Sequence, residues 1–143
     1  MNWVLMSEAF FQLRGGVPKT LMLVSASLAL GFVVAVGLAQ MRLSKNRALS
    51  ALASGYVYIF RSTPLLVQIF LIYYGSGQFR PFLQDIGLWV FFREPYFCAI
   101  LALMLNTGAY TSEIIRGGIQ SVPFGEVEAG RAIGMSRFQL FRR

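Results

Sequence analysis

The chain has 143 residues, of which 56% are hydrophobic and 13% charged, with a mean hydropathy of +0.59 and a net charge of +7. Its charged share is about half that of ordinary soluble domains, and a domain of this length cannot bury so much apolar surface within itself, so the bilayer is its natural solvent. The basic residues stand singly or in short clusters between apolar stretches, as membrane flanks do, and form no single patch that would point to a nucleic-acid partner.

In chain order, the first predicted span is residues 20–41. Thr20 to Met41 carries no charge, and a membrane helix needs about 20 apolar residues. The run is too long and too far from the N-terminus for a simple signal peptide, and no small-residue cleavage site follows it. Pro18 stands just ahead, where a helix tolerates proline. Ala48 to Phe79 is also apolar but is interrupted by Arg61-Ser62-Thr63-Pro64. Two readings fit this region. One is a single kinked span over residues 52–74 whose Arg61 snorkels or pairs with a neighbour. The other is two pieces, Ala48–Phe60 and Pro64–Tyr74, because Ser or Thr before Pro signals a helix start and broken helices line transport pathways. Gly87 to Phe92 is aromatic and reads as a short interfacial stretch, with Trp89 at headgroup level. The third span runs over residues 95–115, where Glu94 and Glu113 bracket 18 uncharged residues. Cys98 is the single cysteine, which excludes an internal disulfide and leaves a small packing residue.

Charge sets the expected orientation. Arg42, Lys45 and Arg47 follow the first span, and Arg116, Arg131, Arg137, Arg142 and Arg143 follow the third, whereas Arg80, Asp85, Arg93 and Glu94 between spans two and three cancel. The positive-inside rule then places the N-terminus outside and the end at residue 143 in the cytoplasm.

Polar residues inside spans are the candidates for function, because such groups face a bundle interior or a water-filled cavity. Asn106, Tyr110, Glu113 and Gly117 recur at helical spacing on one face of the third span. Glu113 suits a cationic substrate, and Arg61 suits a carboxylate. The plainer alternatives are that Asn106 and Tyr110 bond neighbouring helices and that Glu113 and Arg116 form a surface ion pair. The chain has no histidine, no Cys/His/carboxylate cluster with metal-ligand spacing and no nucleophile beside a base, so a membrane enzyme is disfavoured and no metal site is expected. The pairs Gly15-Gly16 and Gly117-Gly118 are not followed by Gly-Lys-Ser/Thr, so they are not phosphate loops. They read as flexible or close-packing sites.

The segment after the third span differs from everything before it. In Glu126-Val-Glu-Ala-Gly-Arg-Ala-Ile-Gly-Met-Ser-Arg-Phe-Gln-Leu-Phe-Arg-Arg143, Glu128 and Arg131 are neighbours on a helix, Gly134 can end it and Ser136 can cap the next. Such a short helix with small residues suits docking into a partner's groove, or alternatively a solvated connector.

Glu128-Ala129-Gly130, with Gly134 and the basic-aromatic run behind it, resembles the "EAA" loop of bacterial ABC importer permeases. That loop usually reads Glu-Ala-Ala, three residues, Gly. Gly130 stands where the second Ala is usual, a departure that lowers helix propensity by roughly 1 kcal/mol. Phe60-Arg-Ser-Thr-Pro-Leu-Leu-Val-Gln68 with Ile69–Gly75, and Leu105-Asn-Thr-Gly-Ala-Tyr-Thr-Ser-Glu-Ile-Ile-Arg-Gly117 with Gly118–Pro123, are similar to the polar amino acid branch of that family, the histidine/glutamine/arginine permease type. The likeness covers nearly all of the chain from Gly16 onward.

The resemblance implies an all-α membrane protein and an inner-membrane, multi-pass location. It makes residues 1–143 the N-terminal part of a permease domain, with three of five core spans and a docking loop at about 125–138 carrying Glu128, Ala129, Gly130 and Gly134. It further implies transport of polar amino acids, with basic ones as the narrower expectation; Asn106, Tyr110, Glu113 and Arg61, singled out above from their place in the spans, are the candidates along that pathway. The implied partners are a cytoplasmic ABC ATPase dimer, a second permease subunit (identical or a sister), a periplasmic or lipid-tethered amino-acid-binding protein and membrane lipid. ATP is then bound and hydrolysed in the partner, and this chain carries no cofactor. Family members continue through a Leu-Pro and two further spans, so the expectation is a C-terminally truncated piece. A non-transporting fragment that assembles only with a full-length sister is the alternative.

Overall fold

The computed structural model describes residues 3–142, and the side chains of residues 13–136 and 138–142. In chain order the helices are α1 (Trp3–Leu43), α2 (Arg47–Ser62), α3 (Leu65–Gln78), α4 (Arg80–Asp85), α5 (Trp89–Phe92), α6 (Pro95–Gln120), α7 (Phe124–Ala132) and α8 (Arg137–Arg142). No strand occurs among the described residues. Helices Leu13–Leu43 and Pro95–Gln120 are each long and apolar enough to cross a membrane, and α2 with α3 makes a third candidate if the bent pair counts as one span.

Helix α1 begins well before the expected start at Thr20 and carries Pro18 inside it. Arg14 and Lys19 end the hydropathic run, but a charge does not break a helix. Proline withholds a single backbone donor, and transmembrane helices accommodate that loss. At 41 residues the helix is about 60 Å long, roughly twice the hydrocarbon core, so it reaches well beyond it.

Helices α2 and α3 meet at a bend of 103°. The chain therefore takes the two-piece form here, not that of one gently kinked helix. Thr63 and Pro64 are both extended, with ψ of 138° and 137°. Proline disfavours the helical region for the residue before it, so Thr63 cannot continue α2. Asn46 caps the other end of α2, its side chain accepting from the Ala48 N–H at 3.0 Å.

Helix α6 is the axis of the fold. It packs against α1 along its length and also against α2, α3 and α5. The α1–α6 seam is built from small residues. Ser27, Gly31, Ala35 and Ala39 recur every fourth position on α1 and are all buried, and Cys98, Ala102, Gly108, Ala109 and Ser112 are buried on α6. A Cβ on Gly108 would lie 2.8 Å from Val34 Cγ1, and one on Gly31 would lie 3.0 Å from Thr107 Cβ and 3.1 Å from the Met104 carbonyl oxygen. Both positions are too tight for a side chain. Apolar burial gives helices little drive to associate in lipid, so close backbone approach of this kind supplies the attraction through dispersion. The Ser112 hydroxyl donates to the Ala109 carbonyl at 2.8 Å and that of Ser27 to Leu23 at 2.6 Å, so neither leaves a bare donor in the seam. Leu21, Met22, Leu28, Phe32 and Val33 on α1 point outward and are exposed, as lipid-facing residues are.

Gly108→Val should therefore destabilise the purified chain by about 1–3 kcal/mol through overpacking. Gly37→Val is the control, because nothing lies within 4 Å of a Cβ at Gly37. Thermal unfolding in detergent should show a clear drop in Tm for the first variant and a small one for the second; equal drops would remove the seam as the cause.

Candidate functional site

The bend between α2 and α3 creates a local hydrogen-bonding deficit. In an unbroken helix the Phe60 carbonyl would accept from the N–H of residue 64. That residue is Pro64, which has none. Side chains fill the deficit. Gln68 Nε2 donates to the Phe60 carbonyl at 2.8 Å, to the Thr63 carbonyl at 3.0 Å and to Thr63 Oγ1 at 2.7 Å. Thr63 Oγ1 in turn donates to the Ile59 carbonyl at 2.9 Å. From α6, Asn106 Nδ2 donates to Gln68 Oε1 at 3.1 Å and lies 3.5 Å from the Phe60 carbonyl oxygen. Gln68 is only 7% exposed. One turn earlier on α2, the Tyr56 hydroxyl donates to the Leu105 carbonyl at 2.8 Å, a second tie between α2 and α6.

Next to this junction the polar face of α6 continues. The Arg61 guanidinium carbon stands 5.3 Å from the Tyr110 ring centroid, a cation–π distance. These two residues, with Val57, Tyr58 and Ser62, line a groove of about 310 Å³. One turn beyond Tyr110, Glu113 is shared by three arginines. Arg116 approaches its two oxygens at 3.0 and 3.3 Å, Arg61 Nη1 lies 3.8 Å from Oε2, and Arg42 from the last turn of α1 pairs with Oε1. Arg116 also donates to Gln120 Oε1. Glu113 is mostly buried, whereas the Arg61 side chain is about half exposed. The carboxylate thus ties α1, α2 and α6 together under a local excess of positive charge.

The four residues singled out from the sequence, Arg61, Asn106, Tyr110 and Glu113, therefore meet on one side of α6. Three residues of the same constellation were not singled out. Gln68 had a sequence signal, an amide one turn after Pro64 in an otherwise apolar run. Arg42 was counted only as a flanking charge, and Tyr56 only as part of an apolar stretch. Glu113 belongs to a network of three partners and not to a lone surface pair with Arg116.

The segment after α6 forms a second site. Helix α7 has Glu126 in its first turn and Arg131 in its last, each placed to favour the helix dipole. Glu128, Ala129 and Gly134 are exposed, while Gly130 is buried. A Cβ at Gly130 would meet the tip of the flexible Leu140 side chain of α8, which packs back over this position. Gly134 has φ +82°, the left-handed region open to glycine. Met135 N–H donates to the Gly130 carbonyl and Gly134 N–H to that of Arg131, both at 3.0 Å, which is a Schellman ending. A capping box follows: Ser136 Oγ accepts from the Gln139 N–H at 3.3 Å and Gln139 Oε1 from the Ser136 N–H at 2.8 Å. Ile133, Phe138 and Phe141 remain exposed.

Residues 27–143 match the family described as "Binding-protein-dependent transport system inner membrane component". The chain is 66% identical over 143 residues to the nopaline transport system permease protein of Agrobacterium fabrum, covering all of this chain and 59% of that protein. It is 52% identical over 136 residues to the octopine transport system permease protein of Rhizobium radiobacter (95% and 55%). To the histidine/lysine/arginine/ornithine transport system permease protein of Salmonella typhimurium it is 44% identical over 127 residues (89% and 54%). Among solved structures, a crystal structure of an amino acid ABC transporter with histidines superposes with a TM-score of 0.75 at 34% identity, covering 96% of this chain and 59% of that one. The chain thus spans a little over half the length of the relatives it matches.

The ion cluster makes an ordering testable. Glu113→Gln strips three guanidinium groups of their shared counter-charge and should cost up to ~3 kcal/mol, because a largely buried pair is broken from one side. Arg61→Gln removes a half-exposed partner at 3.8 Å and should cost less than ~1 kcal/mol. Unfolding in detergent at matched salt should rank the variants in that order, and the reverse ranking would exclude Glu113 as the centre of the cluster.

Proposed function

The chain belongs to the family of binding-protein-dependent transport system inner-membrane components, and from that premise we propose that it is part of a permease subunit of an ABC importer for polar, basic amino acids or their derivatives. The substrate class follows the names its relatives carry: nopaline, octopine, arginine, histidine, lysine and ornithine. The observation that carries the reading is the continuity of α6. One face of this helix bears the polar junction at Asn106, Tyr110 and Glu113, and its end leads through Ser121–Pro123 directly into the exposed helix α7.

In this reading Arg61, Asn106, Tyr110 and Glu113 lie along the pathway. Arg61 has donors to spare for a substrate carboxylate, and Ser62 and Tyr110 share its groove. Glu113 sets the charge of the groove and offers the negative end that favours a cationic substrate. Helix α7, with Glu128, Ala129, Gly130 and Gly134, is the element that a cytoplasmic ATPase grips, which puts the end at residue 143 inside and the N-terminus outside. A second permease subunit completes the pathway, a binding protein delivers the amino acid, and ATP is hydrolysed in the partner. The rigid ending of α7 supports this role, because a lever must keep its angle to transmit a displacement.

Glu128 is exposed and charged on α7, so reversing its charge leaves the fold alone and repels any partner built to receive it. Glu128→Lys should reduce co-purification of the ATPase roughly tenfold or more, the scale of like-charge juxtaposition across an interface. Membrane insertion should stay normal. Undiminished ATPase capture would refute docking through α7, and uptake of radiolabelled arginine by the assembled transporter tests the substrate class separately.

A further inference from the structure

Gln68, on α3, is a buried amide whose partners lie on α2, at the break and on α6. Its nitrogen serves the Phe60 carbonyl in the last turn of α2 and the oxygens of Thr63, and its oxygen accepts from Asn106 on α6. We propose that Gln68 is a positioning residue for transport: it fixes the α2–α3 bend and ties that bend to α6, so that the break and the helix leading to α7 move as one body. The proposal rests on the transport reading given above.

The argument is one of hydrogen-bond inventory. An amide is donor and acceptor at once, and both roles are used here. The ordinary helical donor to Phe60 is missing, because the residue four positions on is Pro64. Asn106 stands 3.5 Å from the same oxygen and cannot serve it fully without a shift of α6 against α2. Removing the Gln68 amide thus frees two carbonyls of the break and releases Asn106 in the same step. Inside a membrane, freed carbonyls find partners only by rearranging the backbone. The bend would lose its fixed angle and its link to α6 together. Tyr56 still joins α2 to α6, so the helices stay associated while the break loosens.

The test uses the assembled transporter with saturating amino-acid-loaded binding protein. Stimulated ATP hydrolysis is read as a multiple of each variant's own basal rate, which an effect on yield alone does not move. Gln68→Leu should lower that multiple about fivefold, the scale of measured coupling effects. The Gln68→Leu, Thr63→Val double variant should be no worse than the more impaired single, because both act through one contact. In a Cys98→Ser background, thiol labelling at Ser62→Cys should be faster with Gln68→Leu than without it. Where Gln68→Leu fails to assemble, Gln68→Met replaces it. It keeps the length of the side chain and removes both the donor for Phe60 and the acceptor for Asn106, so the same losses are expected. An unchanged multiple in a variant that assembles at normal yield overturns the proposal, and so do single losses that multiply in the double. If the unsubstituted complex shows no amino-acid stimulation, the transport reading is what fails. The labelling rate then decides alone, and an unchanged rate overturns the role of Gln68 at the bend.

Discussion

Two helices in lipid can approach to backbone contact only where both present faces without bulky side chains, and α1 and α6 do so at Gly31 and Gly108. That contact fixes how α6 is rotated. With Ala102, Gly108, Ala109 and Ser112 buried against α1, Asn106, Tyr110 and Glu113 are carried to the side that meets α2 and α3. The seam is apolar and chemically silent, yet it decides which residues can meet. A side chain at Gly108 would push α6 away from Val34 and displace the whole polar face with it.

The three polar residues of α6 meet three different physical needs in succession. Asn106 helps satisfy a backbone break that proline created. Tyr110 offers an aromatic face to a guanidinium that would otherwise lie bare in an apolar setting. Glu113 neutralises part of a cluster of three arginines drawn from α1, α2 and α6. The first of these needs arises because α2 stops at Ser62 and turns through 103°; the other two arise where Arg61 of α2 and Arg42 of α1 meet the same face of α6. Arg61 links two of the three levels, since it contacts both Tyr110 and Glu113.

Much of this was legible in the sequence where the governing interactions are local. Pro64 predicts the end of α2, Gly134 the end of α7 and Ser136 the start of α8, because each acts within a few residues of itself. The shared face of Asn106, Tyr110 and Glu113 follows from helical spacing. Interactions between distant segments were not legible. Arg42 reaches Glu113 although α2–α5 lie between them in the chain, and nothing around Arg42 distinguishes it from Lys45 or Arg47. The four-residue spacing of Ser27, Gly31, Ala35 and Ala39 is visible in the sequence, but small residues in a span look alike until a partner face is known. Helix α1 extends beyond the span read from hydropathy because hydropathy reports where lipid is tolerated, not where hydrogen bonding stops. Gly130 was read as a loss of helix propensity, and the Leu140 side chain that packs over it was not foreseen.

That last point bears on what kind of object the α7–α8 segment is. An exposed nine-residue helix on its own is marginal in water. Here the Schellman ending closes α7 with two backbone bonds, the capping box opens α8 with two more, and Leu140 packs back onto Gly130. The four bonds bracket a turn of a few residues and leave it little freedom. A displacement at α7 therefore carries α8 with it, while the connection Ser121–Pro123 holds both to the end of α6. Rigidity arising from local bonds does not depend on the rest of the bundle. The segment therefore keeps a defined shape of its own beyond the end of α6.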